Sequence, residues 1–153
     1  MIWLKRIGIT LCLVIIASGI AYFALKKYAE TYSFAPDDPE QMQLAAEHAQ
    51  CAGYYRVMLS SLKKEHPDYA EQEQQYTQQF EHHLKMGLNF SPDKGVFKTQ
   101  VEKASSQFGN EVINAGKSKT VSELVDSKMN QCFDTVFRGG AFVKRKLEEK
   151  RRS

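Results

Sequence analysis

One uncharged apolar run near the N-terminus constrains the architecture more than any other feature of the chain. Residues 7–25 contain no Asp, Glu, Lys or Arg. As a helix rising ~1.5 Å per residue, they would span roughly 28 Å, close to the ~30 Å hydrocarbon core of a bilayer. Trp3 and Tyr22 suit the headgroup regions on either side. We therefore predict a transmembrane helix over residues 7–25 that contacts membrane lipid, preceded by a short N-terminus over residues 1–6.

The same run allows a second interpretation, as a cleaved signal peptide. Basic residues precede it, and Ala17-Ser18-Gly19 offers the small residues found at cleavage sites. The apolar run continues well past this site, which favours an uncleaved anchor. Two basic residues flank the run on each side, so the positive-inside rule assigns no direction across the membrane.

Beyond a connector over residues 26–37, apolar residues recur every three or four positions, and no stretch alternates as a strand does. Start and stop signals divide this part of the chain: Asp38-Pro39, His66-Pro67-Asp68, Gly87, Ser91-Pro92-Asp93, Gly116, Thr120 to Glu123, and Gly139-Gly140. They predict helices over residues 39–64, 67–86, 92–115 and 121–138. Short connections make sequential helices antiparallel neighbours. We therefore predict an all-α fold with an antiparallel four-helix bundle over residues 38–138; an irregular four-helix arrangement is the alternative.

The charge is distributed unevenly. Residues 28–137 carry ten Lys and Arg against sixteen Asp and Glu, whereas residues 138–153 carry seven against two. An acidic body argues against a nucleic-acid-binding protein. In an up-down bundle the tail over residues 139–153 returns to the end tethered to the membrane, so its basic residues, with Phe142, Val143 and Leu147, are predicted to contact anionic lipid headgroups. They are Lys144, Arg145, Lys146, Lys150, Arg151 and Arg152. A solvated, frayed terminus is the alternative.

Cys51 and Cys132 fall on the apolar stripes of the predicted first and fourth helices. If these helices are antiparallel neighbours, a disulfide is geometrically possible and would stabilise the fold by about 4 kcal/mol in the chain-entropy model. Two unrelated buried thiols are the alternative. A disulfide indicates an oxidising compartment. We therefore predict a single-pass protein of the bacterial inner membrane with its C-terminal domain in the periplasm and its short N-terminus, residues 1–6, in the cytoplasm.

No constellation of residues predicts a reaction. His48 and Cys51 lie three residues apart, and Glu81-His82-His83 offers further metal donors. However, neither H-E-x-x-H nor C-x-x-C occurs, and C-x-x-C-H is absent. We interpret the histidines as a solvated patch. No G-x-S-x-G motif or phosphate-binding glycine loop is present. The sequence therefore predicts no enzyme, no cofactor and no metal.

The expected function is that of a non-enzymatic envelope protein whose helical domain binds a protein partner. Tyrosines at positions 54, 55, 69 and 76 are candidates for the binding surface. An accessory subunit of a membrane complex and an immunity- or exclusion-type protein both fit. One alternative is a phage-type lysis protein like an inner-membrane spanin, although Pro67 and Pro92 would interrupt a long coiled coil. Another is a metal-binding or enzymatic envelope protein that uses the histidines.

Overall fold

A computed structural model describes residues 38–115 and 118–153 of the chain. These residues form four α-helices and no strand: α1 Pro39–Ser61, α2 Tyr69–Phe90, α3 Lys94–Ala115 and α4 Ser118–Arg152. The predicted all-α class is confirmed for them. No helix in this part of the chain has both the length and the apolar character needed to cross a membrane. The predicted N-terminus, anchor and connector, residues 1–37, lie outside the described residues.

Aspartate caps begin two of the helices. The Asp38 carboxylate accepts hydrogen bonds from two backbone amides of the first turn of α1, at 3.0 and 3.2 Å, which confirms the predicted start of this helix. The Asp93 carboxylate does the same for α3, at 2.7 and 3.0 Å. The third helix therefore begins two residues later than predicted, because Asp93 and not Ser91 satisfies its first amides.

Helix α1 lies at the centre of the fold. Its backbone approaches those of the other three helices, whereas α2 and α3 meet mainly through side chains such as Phe97, whose ring lies against Gly87. The small residues of α1 permit its close approach. A Cβ added to Gly53 would lie 2.7 Å from both the Ala104 Cβ and the Ser105 backbone nitrogen, so α1 and α3 pack almost backbone to backbone. Because α1 is covered on most sides, its apolar residues do not form a single stripe. The four helices therefore do not form a ring in which each contacts only its two neighbours.

The contacts between helices define their directions. The Gln41 side chain donates a hydrogen bond to the Phe90 carbonyl at 2.8 Å, which joins the start of α1 to the end of α2. Lys146, near the end of α4, pairs with Asp38 at 3.0 Å. Helix α3 runs parallel to α1, since its first turns pack on the middle of α1 and its later turns pack farther along. Direction therefore alternates from each helix to the next.

Helix α4 continues to Arg152 and does not end near Gly139-Gly140 as predicted. A Cβ added to Gly139 would lie 3.3 Å from His48 Nε2 and 3.5 Å from a ring carbon of Phe90. This glycine allows α4 to approach α1 and α2 closely. A glycine ends a helix unless the residues after it are kept helical by tertiary packing. The residues after Gly139 are packed in this way.

The residues beyond Gly139 form part of the core. Phe142 is 0 % exposed and packs edge to face on Phe90, with ring centroids 5.8 Å apart. Val143 is buried in the same cluster. Phe142 and Val143 are therefore covered by protein, which corrects the expectation that they face lipid. Two of the six predicted lipid-contacting cations pair with carboxylates of the first turn of α1 or its cap, Arg145 with Glu40 and Lys146 with Asp38. Contact of the six with lipid stays a prediction.

Candidate functional site: a disulfide beside a buried histidine pair

Cys51 of α1 and Cys132 of α4 form a disulfide, as their positions on the two apolar stripes predicted. Their Cα atoms lie 5.5 Å apart, within the usual range for this bond. The two residues are 81 positions apart in the sequence, so the bond closes a long loop and restricts the unfolded chain. Both cysteines are buried, in a cluster with Tyr54, Tyr55 and Phe108.

A histidine pair lies beside the disulfide. His48 of α1 and His83 of α2 are both 0 % exposed. Their Nδ1 atoms are 2.8 Å apart, so one ring donates its N–H and the other accepts it. The Nε2 atoms of both rings are buried without a hydrogen-bond partner among the described residues. The interpretation of these histidines as a solvated patch is therefore wrong; of the three, only His82 is exposed.

A signal for this burial was present in the helical periodicity. His48 lies four residues after Leu44 and three before Cys51, in register with buried positions of α1. His83 lies four residues before Gly87, which is also buried. Positions three or four apart share one face of a helix. A histidine between two buried positions at this spacing is therefore a candidate for the core, although its hydrogen-bond partner cannot be read from one helix alone.

Both histidines are neutral at pH 7. Burial, together with electrostatic repulsion from His83, His82 and Arg138, lowers the pKa of His48 to about 3. Burial likewise lowers the pKa of His83 to about 3, with His82 as the second cause. A neutral imidazole is the form that accepts a hydrogen bond or ligates a metal ion.

Three side chains of this region form a compact group of metal donors. The two sulfur atoms of Cys51 and Cys132 and one ring nitrogen of His83 all lie within 4.8 Å of one another. Thiolate and imidazole are the preferred ligands of zinc. The three residues lie on three different helices, so motifs that require ligands close together in the sequence do not detect the group. In the disulfide form its sulfur atoms are not thiolates.

A cavity of about 90 Å³ reaches the disulfide between α1, α3 and α4. Both cysteines line it together with Tyr54. Glu111 and Lys128 line it as well and form an ion pair at 3.6 Å. The cavity is smaller than the roughly 300–1,000 Å³ typical of sites for organic ligands. Its size suits water or an ion.

An apolar stripe lies on the outer face of α4. Met129, Phe133 and Phe137 are spaced four residues apart and are 38 %, 66 % and 64 % exposed. The rings of Phe133 and Phe137 meet edge to face with centroids 5.0 Å apart. We call these three residues the α4 stripe.

The most exposed aromatic side chains are those of the α4 stripe and not the four tyrosines that the sequence suggested. Tyr54 and Tyr55 are buried around the disulfide, and Tyr69 and Tyr76 are half-buried. The exposed aromatic surface was missed because Phe133 and Phe137 adjoin the apolar stripe that carries Cys132. A sequence with aromatic residues on two adjacent faces of one helix does not show which face the other helices cover.

These features define a class of protein: a small all-helical domain in which four helices enclose a disulfide and a buried histidine pair. No model of a known protein family matches the chain. No curated protein and no solved structure matches it either.

Proposed function

We propose that the chain is a non-enzymatic, membrane-anchored protein of the bacterial inner membrane whose periplasmic helical domain binds another protein through the α4 stripe. The exposure of Met129, Phe133 and Phe137 carries this proposal. Large apolar side chains that are exposed together mark interaction surfaces, and aromatic residues are enriched among those that dominate binding energy. The anchor in this proposal is the uncharged run over residues 7–25.

The charges beside the stripe favour a protein over a lipid surface. Asp134 lies between the two phenylalanines in the sequence and is 65 % exposed. Arg138 follows the stripe but pairs with Asp134 at 2.7 Å and with Glu47. Anionic headgroups would meet a carboxylate beside this face and a cation that is already paired. A protein with an apolar patch and a basic group can complement both features.

The disulfide supports the proposal in two ways. A disulfide between two buried cysteines is typical of proteins in oxidising compartments. In addition, Cys132 immediately precedes Phe133, so the bond fixes the turn of α4 that carries Phe133 to α1. A surface that is rigid before binding loses less conformational entropy when the complex forms.

An accessory subunit of a membrane complex and an immunity- or exclusion-type protein both remain within this proposal, because each needs only an anchor and a binding domain. The lysis-protein alternative has less support. Inner-membrane spanins favour long coiled coils, whereas the four described helices fold back on one another.

Site-specific photo-crosslinking in native membranes tests the proposal. A photoreactive residue in place of Phe133 should form one adduct of discrete mass with another protein. The same residue in place of Ile113, which is 75 % exposed on α3, is the matched control and should form none. Adding Phe137→Ser to the first variant should reduce the adduct roughly 10-fold or more, since central aromatic residues dominate binding energy.

Three results would overturn this proposal. The first is the absence of any protein adduct at position 133, and the second is an equal adduct at position 113. The third is an adduct of twice the mass of the chain, which would assign the stripe to self-association. The compartment has its own test: free thiols at Cys51 and Cys132 in freshly lysed cells, trapped by alkylation before a non-reducing gel, would contradict the periplasmic assignment.

A further inference from the structure

We propose that Cys51, Cys132 and His83 form a zinc site when their disulfide is reduced, so that the same residues hold either a covalent bond or a Zn²⁺ ion. The inference does not depend on the protein partner. It starts from three donors that converge from α1, α2 and α4 and are buried together.

The geometry is close to what zinc needs. With Zn–S bonds of ~2.3 Å and Zn–N bonds of ~2.0 Å, tetrahedral donors lie roughly 3.5–3.8 Å apart. In the disulfide form all three donor atoms lie within 4.8 Å of one another. Reduction lets the sulfur atoms move apart from bonding distance, and the His83 ring nitrogen needs to approach by about 1 Å.

The histidine pair supplies an independent observation. His83 is fully buried, and its Nδ1 is bonded to His48, but its Nε2 has no partner among the described residues. A buried polar atom without a partner is costly, and such atoms are uncommon in proteins. A metal ion bound by His83 would use a lone pair of the neutral ring. The ligating ring would then donate its Nδ1–H to His48 Nδ1, a hydrogen bond that orients it as the second ring nitrogen of a ligating histidine is oriented in metal sites.

The cavity provides access and space for a fourth ligand. Its volume of about 90 Å³ exceeds the ~30 Å³ that one water molecule occupies in the liquid. Both cysteines line it, so an ion that enters there meets the two sulfur atoms directly. Three protein ligands and one water complete a tetrahedral zinc site.

The interconversion is a two-electron exchange. A dithiol reductant gives two electrons to the Cys51–Cys132 disulfide, the S–S bond breaks, and the reductant itself becomes a disulfide. The two thiols then lose their protons as Zn²⁺ binds the thiolates. In the reverse direction a disulfide oxidant takes two electrons from the zinc-bound thiolates, is reduced to two thiolates, and Zn²⁺ leaves. A reducing compartment therefore favours the zinc form, and an oxidising one favours the disulfide.

Zinc binding by the full chain in detergent tests the inference. All variants carry Cys12→Ser, because Cys12 lies outside the described residues and would add a third thiol. The chain is reduced with dithiothreitol, desalted without oxygen and titrated with Zn²⁺ against a chromophoric chelator. We expect one tightly bound Zn²⁺ per reduced chain and none per oxidised chain. His83→Gln should weaken zinc binding more than about 100-fold. Replacing a residue that only hydrogen-bonds to a ligand already lowers metal affinity about 10–100-fold.

The neighbouring His82 is the matched control, because it is exposed and lies outside the donor group. His82→Gln should change zinc affinity less than about 3-fold, well below the effect of losing a ligand or its hydrogen-bond partner. Equal affinities of His82→Gln and His83→Gln would overturn the inference. Equal zinc binding by the reduced and oxidised chains would do so as well.

A second measurement avoids variants that fail to fold. Zn²⁺ should raise the unfolding temperature of the reduced Cys12→Ser chain and leave that of the oxidised chain unchanged, because a ligand stabilises only the state that binds it. Co²⁺ in place of Zn²⁺ should give the intense thiolate-to-metal absorption of a tetrahedral site. A reduced, helical chain that shows neither effect would overturn the inference.

Discussion

Helix α4 is held against α1 at two places that depend on different physical interactions. At the centre, Cys132 is bonded to Cys51 beside the neutral pair of His48 and His83. At the end, Phe142 packs on Phe90 in an apolar cluster. Protonation and reduction act on groups of the centre, whereas the end cluster holds no titratable group or thiol and touches the centre through the His48 ring, which stacks on Phe90 with centroids 5.5 Å apart. We therefore expect that each place can be weakened with a smaller effect on the other.

The two regions also differ in how many buried polar atoms lack a hydrogen-bond partner, which costs free energy. In the centre, two buried imidazole nitrogens have no hydrogen-bond partner among the described residues, so the site carries a penalty that a bound ion would reduce. Beside the end cluster a single buried amide oxygen, Gln41 Oε1, lacks a partner among the described residues, and the charged groups stay at the surface, where Lys146 and Arg145 pair with Asp38 and Glu40. Exposed pairs of this kind contribute little to stability. Burial of Phe142 and its neighbours therefore dominates the end.

Acidification should have the largest effect, and it should act on the centre. The pKa of a histidine is about 6.5 in the unfolded chain, whereas burial holds the pKa of both His48 and His83 at about 3 in the folded chain. Between these values the unfolded state binds protons that the folded state does not. Stability is therefore fully present above pH 6.5 and is lost as pH falls toward 3. From pH 6.5 to 4.5 the loss should be about 4–5 kcal/mol for the two groups together, measured by urea unfolding.

The control for this prediction is another histidine. His66 is exposed, so His66→Gln should leave the dependence of unfolding free energy on pH unchanged. The double variant His48→Gln, His83→Gln should lose most of it. A double variant that keeps the full acid sensitivity would contradict the assignment to the histidine pair.

Phe142→Ala should break the end cluster and leave the centre intact. Removing a fully buried phenylalanine ring costs about 3–4 kcal/mol, through lost burial and the cavity left behind. The cost should be the same at pH 7 and pH 5 and with the disulfide oxidised or reduced. Phe133→Ala is the matched control, because this ring is 66 % exposed and its loss should change stability by less than about 0.5 kcal/mol. A cost for Phe142→Ala that depends on pH would show that the two regions are coupled.

Asp38→Ala should have the smallest effect of the three. It removes the acceptor for two amides of the first turn of α1, and loss of such a cap costs about 1 kcal/mol. Asp38→Asn keeps an acceptor oxygen while it removes the charge that pairs with Lys146. The asparagine variant should retain most of the stability in thermal unfolding. Equal losses in both variants would assign the effect to the ion pair and not to the cap.

The local features of the fold were predictable because their causes are local. The Asp38-Pro39 start needs only a carboxylate, a proline and the amides of one turn, and the break at His66-Pro67-Asp68 needs only the restrictions that proline imposes. The disulfide was predictable because Cys51 and Cys132 occupy the apolar faces of helices that run in opposite directions. The end of α4 was not, because Gly139 stops a helix or permits close packing according to what lies opposite it.

The chain by itself determined four helices, their alternating direction and the pairing of its two buried cysteines, since periodicity, caps and short connections depend on neighbours in the sequence. Tertiary structure alone decided that α1 is central, that His48 meets His83 beside the disulfide, and that Phe142 is buried while Phe133 is exposed. These outcomes depend on which face of each helix the others cover. The packing of all four helices together determines which face is covered. The sequence of one helix does not, because it carries apolar or imidazole side chains on more than one face.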